Sequence, residues 1–303
     1  MSAKVDKQST SFVSRQARSH GEFVSLISVV GSKASALVEI IDVRPFLGPR
    51  YLRIDKNRNL LYASIEAGVS DGISEGGGII GIDLDSRTVV KKITSGHRSH
   101  WFVMTPDGTR AYTCNKEGEY ISVIDLTAER LIRKLTLPGG SEQPGISLDG
   151  SLVFFPSPAI GRKDHDPCIN ALDTTSNEFL QSIPLKSEAV TVHGDCMDRI
   201  IAGLYHIEVD EATRKPIPSY GGVACFKASR LTCEHLGRVE VGLVPLTILA
   251  HPDGIRAFIS NIFDGTVSVL ELASMKVLNT IEVDLQKRSD KAMHQGAHGL
   301  API

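Results

Sequence analysis

Residues 105–137 read TPDGTRAYTCNKEGEYISVIDLTAERLIRKLTL, and this stretch decides the fold class. Pro106-Asp107-Gly108 is a turn with a mechanism: proline presets φ, and glycine accepts a positive φ. Residues 111–115 read as a short strand. Residues 120–126 alternate as a half-buried strand does, and Thr127-Ala128-Glu129 turns the chain back into a third strand at 131–137. A meander this small cannot bury its own apolar face. It needs neighbours of the same kind, and the rest of the chain supplies them.

Residues 251–281 repeat the whole unit: HPDG, then AFISN, then VSVLELASMKVLNTI. Residues 147–183 hold a third copy and residues 53–93 a fourth. A degenerate fifth runs from VTVHGD (190–195) through RIIAGL (199–204) to GVACFKASRLTCEHL (222–236). The matching anchors are Tyr62, Tyr112, Phe154, Ile201 and Phe258. Their spacing is that of β-propeller blades, each a four-stranded sheet of roughly 40–50 residues.

The turn, the aromatic strand and the acidic-ended strand together resemble the YVTN-repeat, lactonase-like β-propeller family. Its SPDG, YVTN and VSVID signatures stand here as TPDG and HPDG, AYTCN and AFISN, ISVID and VSVLE. The resemblance implies an all-β, six-bladed propeller. SFVSRQ and FVSLISV near the N-terminus match AFISN and VSVLEL, but no inner strand precedes them. His298-Gly299-Leu300-Ala301-Pro302 looks like the start of a blade without its turn. One domain, 1–303, is therefore expected, with residues 9–43 and 295–303 forming a composite closing blade and residues 1–8 disordered.

The totals narrow the function. The formal net charge is −2 and no Lys/Arg stripe stands out, which argues against nucleic acid and anionic membranes as partners. No apolar run approaches the ~18 residues of a membrane helix, and the first twenty residues lack a signal-peptide core, so a cytoplasmic protein is expected. The five cysteines include no CxxC or CxxCH, which argues against a zinc finger and covalent haem. Cys225 and Cys233 are placed to face each other across a hairpin. Gly76-Gly77-Gly78 precedes a strand and lacks a following Lys-Ser/Thr, so it is not a phosphate loop. No GxSxG elbow is present. No cofactor is implied, although a divalent ion is an alternative, with Glu66, Asn115, Asn261 and Asp264 as its candidate ligands. Asp164-His165-Asp166 is a second polar cluster with the same alternative reading.

The turns between first and second strands, and between third and fourth, stay short. The long segments, 66–78, 157–167 and 205–222, are read as loops between second and third strands, all emerging on one face with the connection 284–297. Aligning the inner strands on their turns brings Arg50, His100, Glu142, Glu188, Leu246 and His298 to equivalent positions. Imidazoles, carboxylates and a guanidinium in one ring form a candidate acid–base and anion-binding set. Arg98, Trp101, Leu246, Tyr205, His206 and His294 are candidate substrate-binding residues. Each also has a bland reading: polar loop ends bonded to backbone, and Trp101 packed between blades.

Three functions fit. One is a cofactor-independent enzyme acting on a small organic substrate. The chain looks like a relative of fungal biosynthetic propeller cyclases of the hetero-Diels–Alder type, which implies a cyclase or isomerase. A lactone hydrolase with a bound divalent ion is the second, and a non-catalytic protein-interaction ring the third.

Overall fold

The computed structural model describes residues 10–14, 23–30, 34–68, 76–115, 118–160, 162–209, 212 and 216–283. They are all-β, with no helix among them. Among the described residues no helix is long and apolar enough to cross a membrane. The expected strand at residues 295–303 lies outside the described residues, as do His294 and His298.

The strands form antiparallel meanders in which spatial order follows chain order. The first sheet has three strands, β1 (Thr10–Ser14), β2 (Phe23–Val30) and β3 (Ala34–Asp42). Five four-stranded sheets follow. The first of these is β4 (Leu47–Asp55), β5 (Leu60–Ala67), β6 (Gly77–Asp83) and β7 (Val89–Gly96). The next is β8 (Ser99–Met104), β9 (Arg110–Asn115), β10 (Tyr120–Asp125) and β11 (Arg130–Thr136). Then come β12 (Gly145–Ile146), β13 (Leu152–Ser157), β14 (Cys168–Asp173) and β15 (Glu178–Pro184). They are followed by β16 (Glu188–Gly194), β17 (Arg199–Val209), β18 (Pro216–Ala228) and β19 (Cys233–Glu240). The last sheet is β20 (Pro245–Ala250), β21 (Arg256–Asn261), β22 (Thr266–Glu271) and β23 (Lys276–Glu282). The chain divides into two compact units, with the boundary at the end of β11.

Within each unit, neighbouring sheets bury their faces against each other. In the first unit, Leu60, Tyr62, Ile79 and Ile93 pack on Phe102, Ala111, Ile124 and Leu126. In the second, Phe154, Ile169 and Ala171 meet Val192, Ala202 and Phe226, and Val223 and Cys225 meet Ile248, Ile259 and Leu270. Tyr62, Tyr112, Phe154 and Ile201 are fully buried, as their place as anchors requires, and Phe258 is half-buried.

The turns explain why the repeats fold. Asp83, Asp125 and Asp173 each accept two backbone N–H groups from the turn that follows. This is the Asx geometry that the acidic turn residues lead one to expect. Four residues after each carboxylate the chain adopts a positive φ, at Arg87 (62°), Glu129 (52°) and Asn177 (56°). Met275 (50°) holds the same place after Glu271.

A second repeated device joins the sheets. Buried Asp55 holds Arg58 at 2.7 Å, and that guanidinium donates to the carbonyl of Gly108 in the next sheet's turn at 3.2 Å. In the second unit, buried Asp195 holds Arg199 at 2.6 Å, and Arg199 donates to the carbonyl of Gly254. Asp55 and Asp195 fall at equivalent positions of their repeats, as do Gly108 and Gly254, while the arginine stands three residues on in one latch and four in the other.

Two expectations change. Residues 205–222 do not form a loop: β17 and β18 continue past the sheet as a paired ribbon out to Val209 and Pro216. Both prolines of this segment, Pro216 and Pro218, are paired in register there, opposite Val209 and Ile207. Cys225 stands opposite Gly237 and Cys233 opposite Ala228, so the two thiols do not face each other, and both are free.

Candidate functional site

The inner strands share a defect that alternation alone does not reveal. An extra residue interrupts the pairing between Pro49 and Leu52 in β4, between Ser99 and Phe102 in β8, between Ala189 and Thr191 in β16, and between Pro245 and Thr247 in β20. These β-bulges fall at the same register in each repeat. Bulges re-aim side chains and are over-represented beside active sites.

The register places the expected set. Arg50, His100 and Leu246 occupy the bulge position. Gly145 pairs with Phe154, the counterpart of Tyr112, which makes Glu142 equivalent to His100. Glu188 is displaced: the bulge residue of β16 is Val190, and Glu188 opens that strand two residues earlier, opposite Tyr205. The missing PDG turn in this repeat is why the alignment slips.

In the first unit the geometry centres on Glu66, at the end of β5. Its Oε1 receives Arg50 Nε at 2.7 Å and Nη2 at 2.5 Å, and Arg98 Nη2 at 3.4 Å. Sequence reading makes Glu66 a cation ligand; in the structure it is the carboxylate that both guanidinium groups share. Gly48 makes room for it, since a Cβ there would stand 2.8 Å from Glu66 Oε2. Arg98 is exposed and left-handed (φ 43°), and the neighbouring His100 is 7% exposed. Trp101 is buried, with its ring stacked on Tyr51 at 4.1 Å, so the packing reading describes it. Asn115 donates to Ser122 Oγ at 2.9 Å within a buried hydroxyl cluster and holds its own hairpin.

In the second unit Glu142, Glu188 and Tyr205 come together. Tyr205 is 2% exposed. Burial pushes its phenol well above the usual range, and the charges of Glu188 and then Glu142 push it the same way. Glu188 Oε2 also accepts the Ala159 N–H at 2.7 Å. Beside them Gln143 ties three inner strands. Its Oε1 accepts Thr191 Oγ1 at 2.6 Å, and its Nε2 donates to the Ile248 carbonyl at 3.3 Å. Leu246 is partly exposed. His206 is exposed on the ribbon, on the strand face opposite to that of Tyr205. Asn261 donates to Thr266 and Ser268, each at 2.9 Å, and Asp264 accepts the Leu243 N–H at 2.6 Å. Among the described residues, no three His, Cys, Asp or Glu side chains are grouped as a metal site.

No protein-family model and no curated protein matches the sequence. Solved structures do match in fold. Hydrazine synthase from Kuenenia stuttgartiensis superposes with a TM-score of 0.68 at 15% identity, over 86% of this chain and 80% of that one. A candidate 6-phosphogluconolactonase from Bacteroides uniformis superposes with a TM-score of 0.65 at 12% identity, over 88% and 82%. The likeness is to propeller-type folds.

Proposed function

We propose that the six sheets are the blades of one closed propeller, with residues 295–303 adding the inner strand to β1–β3. The bulged ends of the inner strands then form a pocket that cyclises or isomerises a small organic substrate without a cofactor. The observation that carries this reading is the bulge repeated at one register, which brings Arg50 and His100 to the same place in two successive repeats. His100 and His298 serve as proton donors. Arg50, fixed by Glu66, polarises an enolate or phenolate oxygen, and Glu142 or Glu188 acts as base beside Tyr205. Leu246 supplies an apolar wall. A hetero-Diels–Alder cyclisation suits such a site, because orientation and hydrogen bonds to developing charge are all it needs.

The test is to identify small molecules retained by the purified protein from a biosynthetic extract, then to assay their conversion. His100→Ala and Glu142→Gln, each folded, are expected to lower the rate by about 10²- to 10⁴-fold. Full activity in both variants would refute the assignment. The fold shared with a candidate 6-phosphogluconolactonase favours a second reading, lactone hydrolysis on a divalent ion. Chelator-sensitive hydrolysis of gluconolactone would establish that reading instead.

A further inference from the structure

An open cavity of about 480 Å³ lies in the second unit, where β14 begins and β15 ends. Its size is within the range of small-ligand sites. Pro138, Pro167 and Pro184 give it rigid apolar walls, and His165, Asp166 and Cys168 stand among them.

Hydrogen bonds around this cavity fix the roles of several of its polar groups. The Ser157 hydroxyl donates to the Pro138 carbonyl. Its oxygen can then only accept, so His165 Nε2, at 3.0 Å from that hydroxyl and 3.2 Å from the Ser157 carbonyl, is the donor to both. The neutral ring is thereby fixed with its lone pair on Nδ1. On the other wall Ser182 Oγ donates to Asn170 Oδ1 at 2.5 Å, which turns the amide so that Nδ2 donates to Cys168 Sγ at 3.4 Å. Burial raises the Cys168 thiol, so it stays protonated near neutral pH. The Asp166 carboxylate, exposed at the edge, and His165 Nδ1 are left as acceptors.

The Asp166 charge and the ring acceptor together favour a donor cation. A guanidinium carries several N–H donors in one plane, so it can meet a carboxylate and a ring nitrogen at once, which suits these two acceptors better than a point charge does. We infer that this proline-walled cavity binds a guanidinium group through Asp166 and His165, carried either by a free small molecule or by an arginine side chain.

Isothermal titration of the whole protein tests this with four probes: agmatine, the blocked peptide acetyl-Gly-Arg-Gly-amide, cadaverine as a point-charge diamine, and N-butylurea as a neutral planar analogue. Saturable one-to-one binding of agmatine, of the peptide or of both is expected, tighter than for cadaverine or N-butylurea. Agmatine alone assigns a small molecule, and the peptide alone an arginine in a polypeptide. Asp166→Asn, at an exposed loop position that leaves the sheets intact, is expected to weaken binding about tenfold. His165→Gln, which loses the ring acceptor, is expected to weaken it as well. Absence of saturable heat from both guanidinium probes, equal binding of cadaverine, or indifference to Asp166→Asn would overturn the inference.

Discussion

Arg199→Met removes one of the two repeated latches, and its cost can be worked out from the contacts. The Asp195 side chain is wholly buried, and that of Arg199 is 13% exposed. The guanidinium gives Nε to Asp195 at 2.8 Å and Nη2 at 2.6 Å, and it also donates to the Gly254 carbonyl. Removing one partner of a buried pair costs about 3–5 kcal/mol, because the other charge stays behind without compensation. Here Asp195 keeps two backbone donors, Met197 N–H and Arg199 N–H, both at 2.9 Å, which places the cost near the lower end, about 3 kcal/mol. Urea unfolding followed by far-ultraviolet circular dichroism reads this as a lower midpoint at constant slope. Asp195→Asn in the same background removes the stranded charge, so the double variant should recover at least about 1 kcal/mol of the loss. A single variant within about 1 kcal/mol of wild type, or a double variant no better than the single, would refute the reasoning.

Gly194→Ala should be destabilising by about 2 kcal/mol or more. A Cβ there would lie 1.9 Å from the Ile146 carbonyl oxygen, a backbone atom that cannot move aside alone. The same denaturation experiment checks this, and a neutral result would mean that β12 and β16 are not packed as closely as described. Acid should also weaken the turns. The Thr105 hydroxyl holds Asp107 below the usual carboxylate range, and the Ile255 N–H holds Asp253 down to about 2. Because these folded values lie below the unfolded value of about 3.9, their contribution is complete above about pH 4 and is lost as pH falls toward 2. Asp253→Asn should therefore lose less stability than wild type over that interval, and an equal loss would argue against the turn carboxylate as the acid-sensitive group.

Much of the fold could be read from the residues. The PDG turns, the acidic ends of the third strands and the buried anchors all act locally, so spacing exposes them. The bulges were hidden, because an extra residue in an inner strand looks like ordinary sequence until its partner strand is known. Arg50, His100 and Leu246 align at one register in spite of this, since counting from a well-marked turn includes the extra residue automatically. Glu188 was misplaced because its repeat lacks that turn. Tyr205 is read as the start of a long loop, whereas residues 205–209 pair with 216–221 as a ribbon, because a strand that overruns its sheet carries no mark in the repeat pattern. Glu66 was noticed for its charge and given a different task. Its true partners, Arg50 and Arg98, lie 16 and 32 residues away, and no short-range pattern links them.

The left-handed residue in each outer turn has a wider implication. Arginine, glutamate, asparagine and methionine hold that place in four repeats, although glycine would fit it with less strain. The bend is held from upstream, by an aspartate accepting two amides in three of these repeats and by Glu271 accepting the Ser274 hydroxyl in the other, so the left-handed position tolerates varied letters. An architecture specified in this way can keep its shape while its consensus wears away. Two such chains then become recognisable by superposition long after their alphabets have ceased to agree.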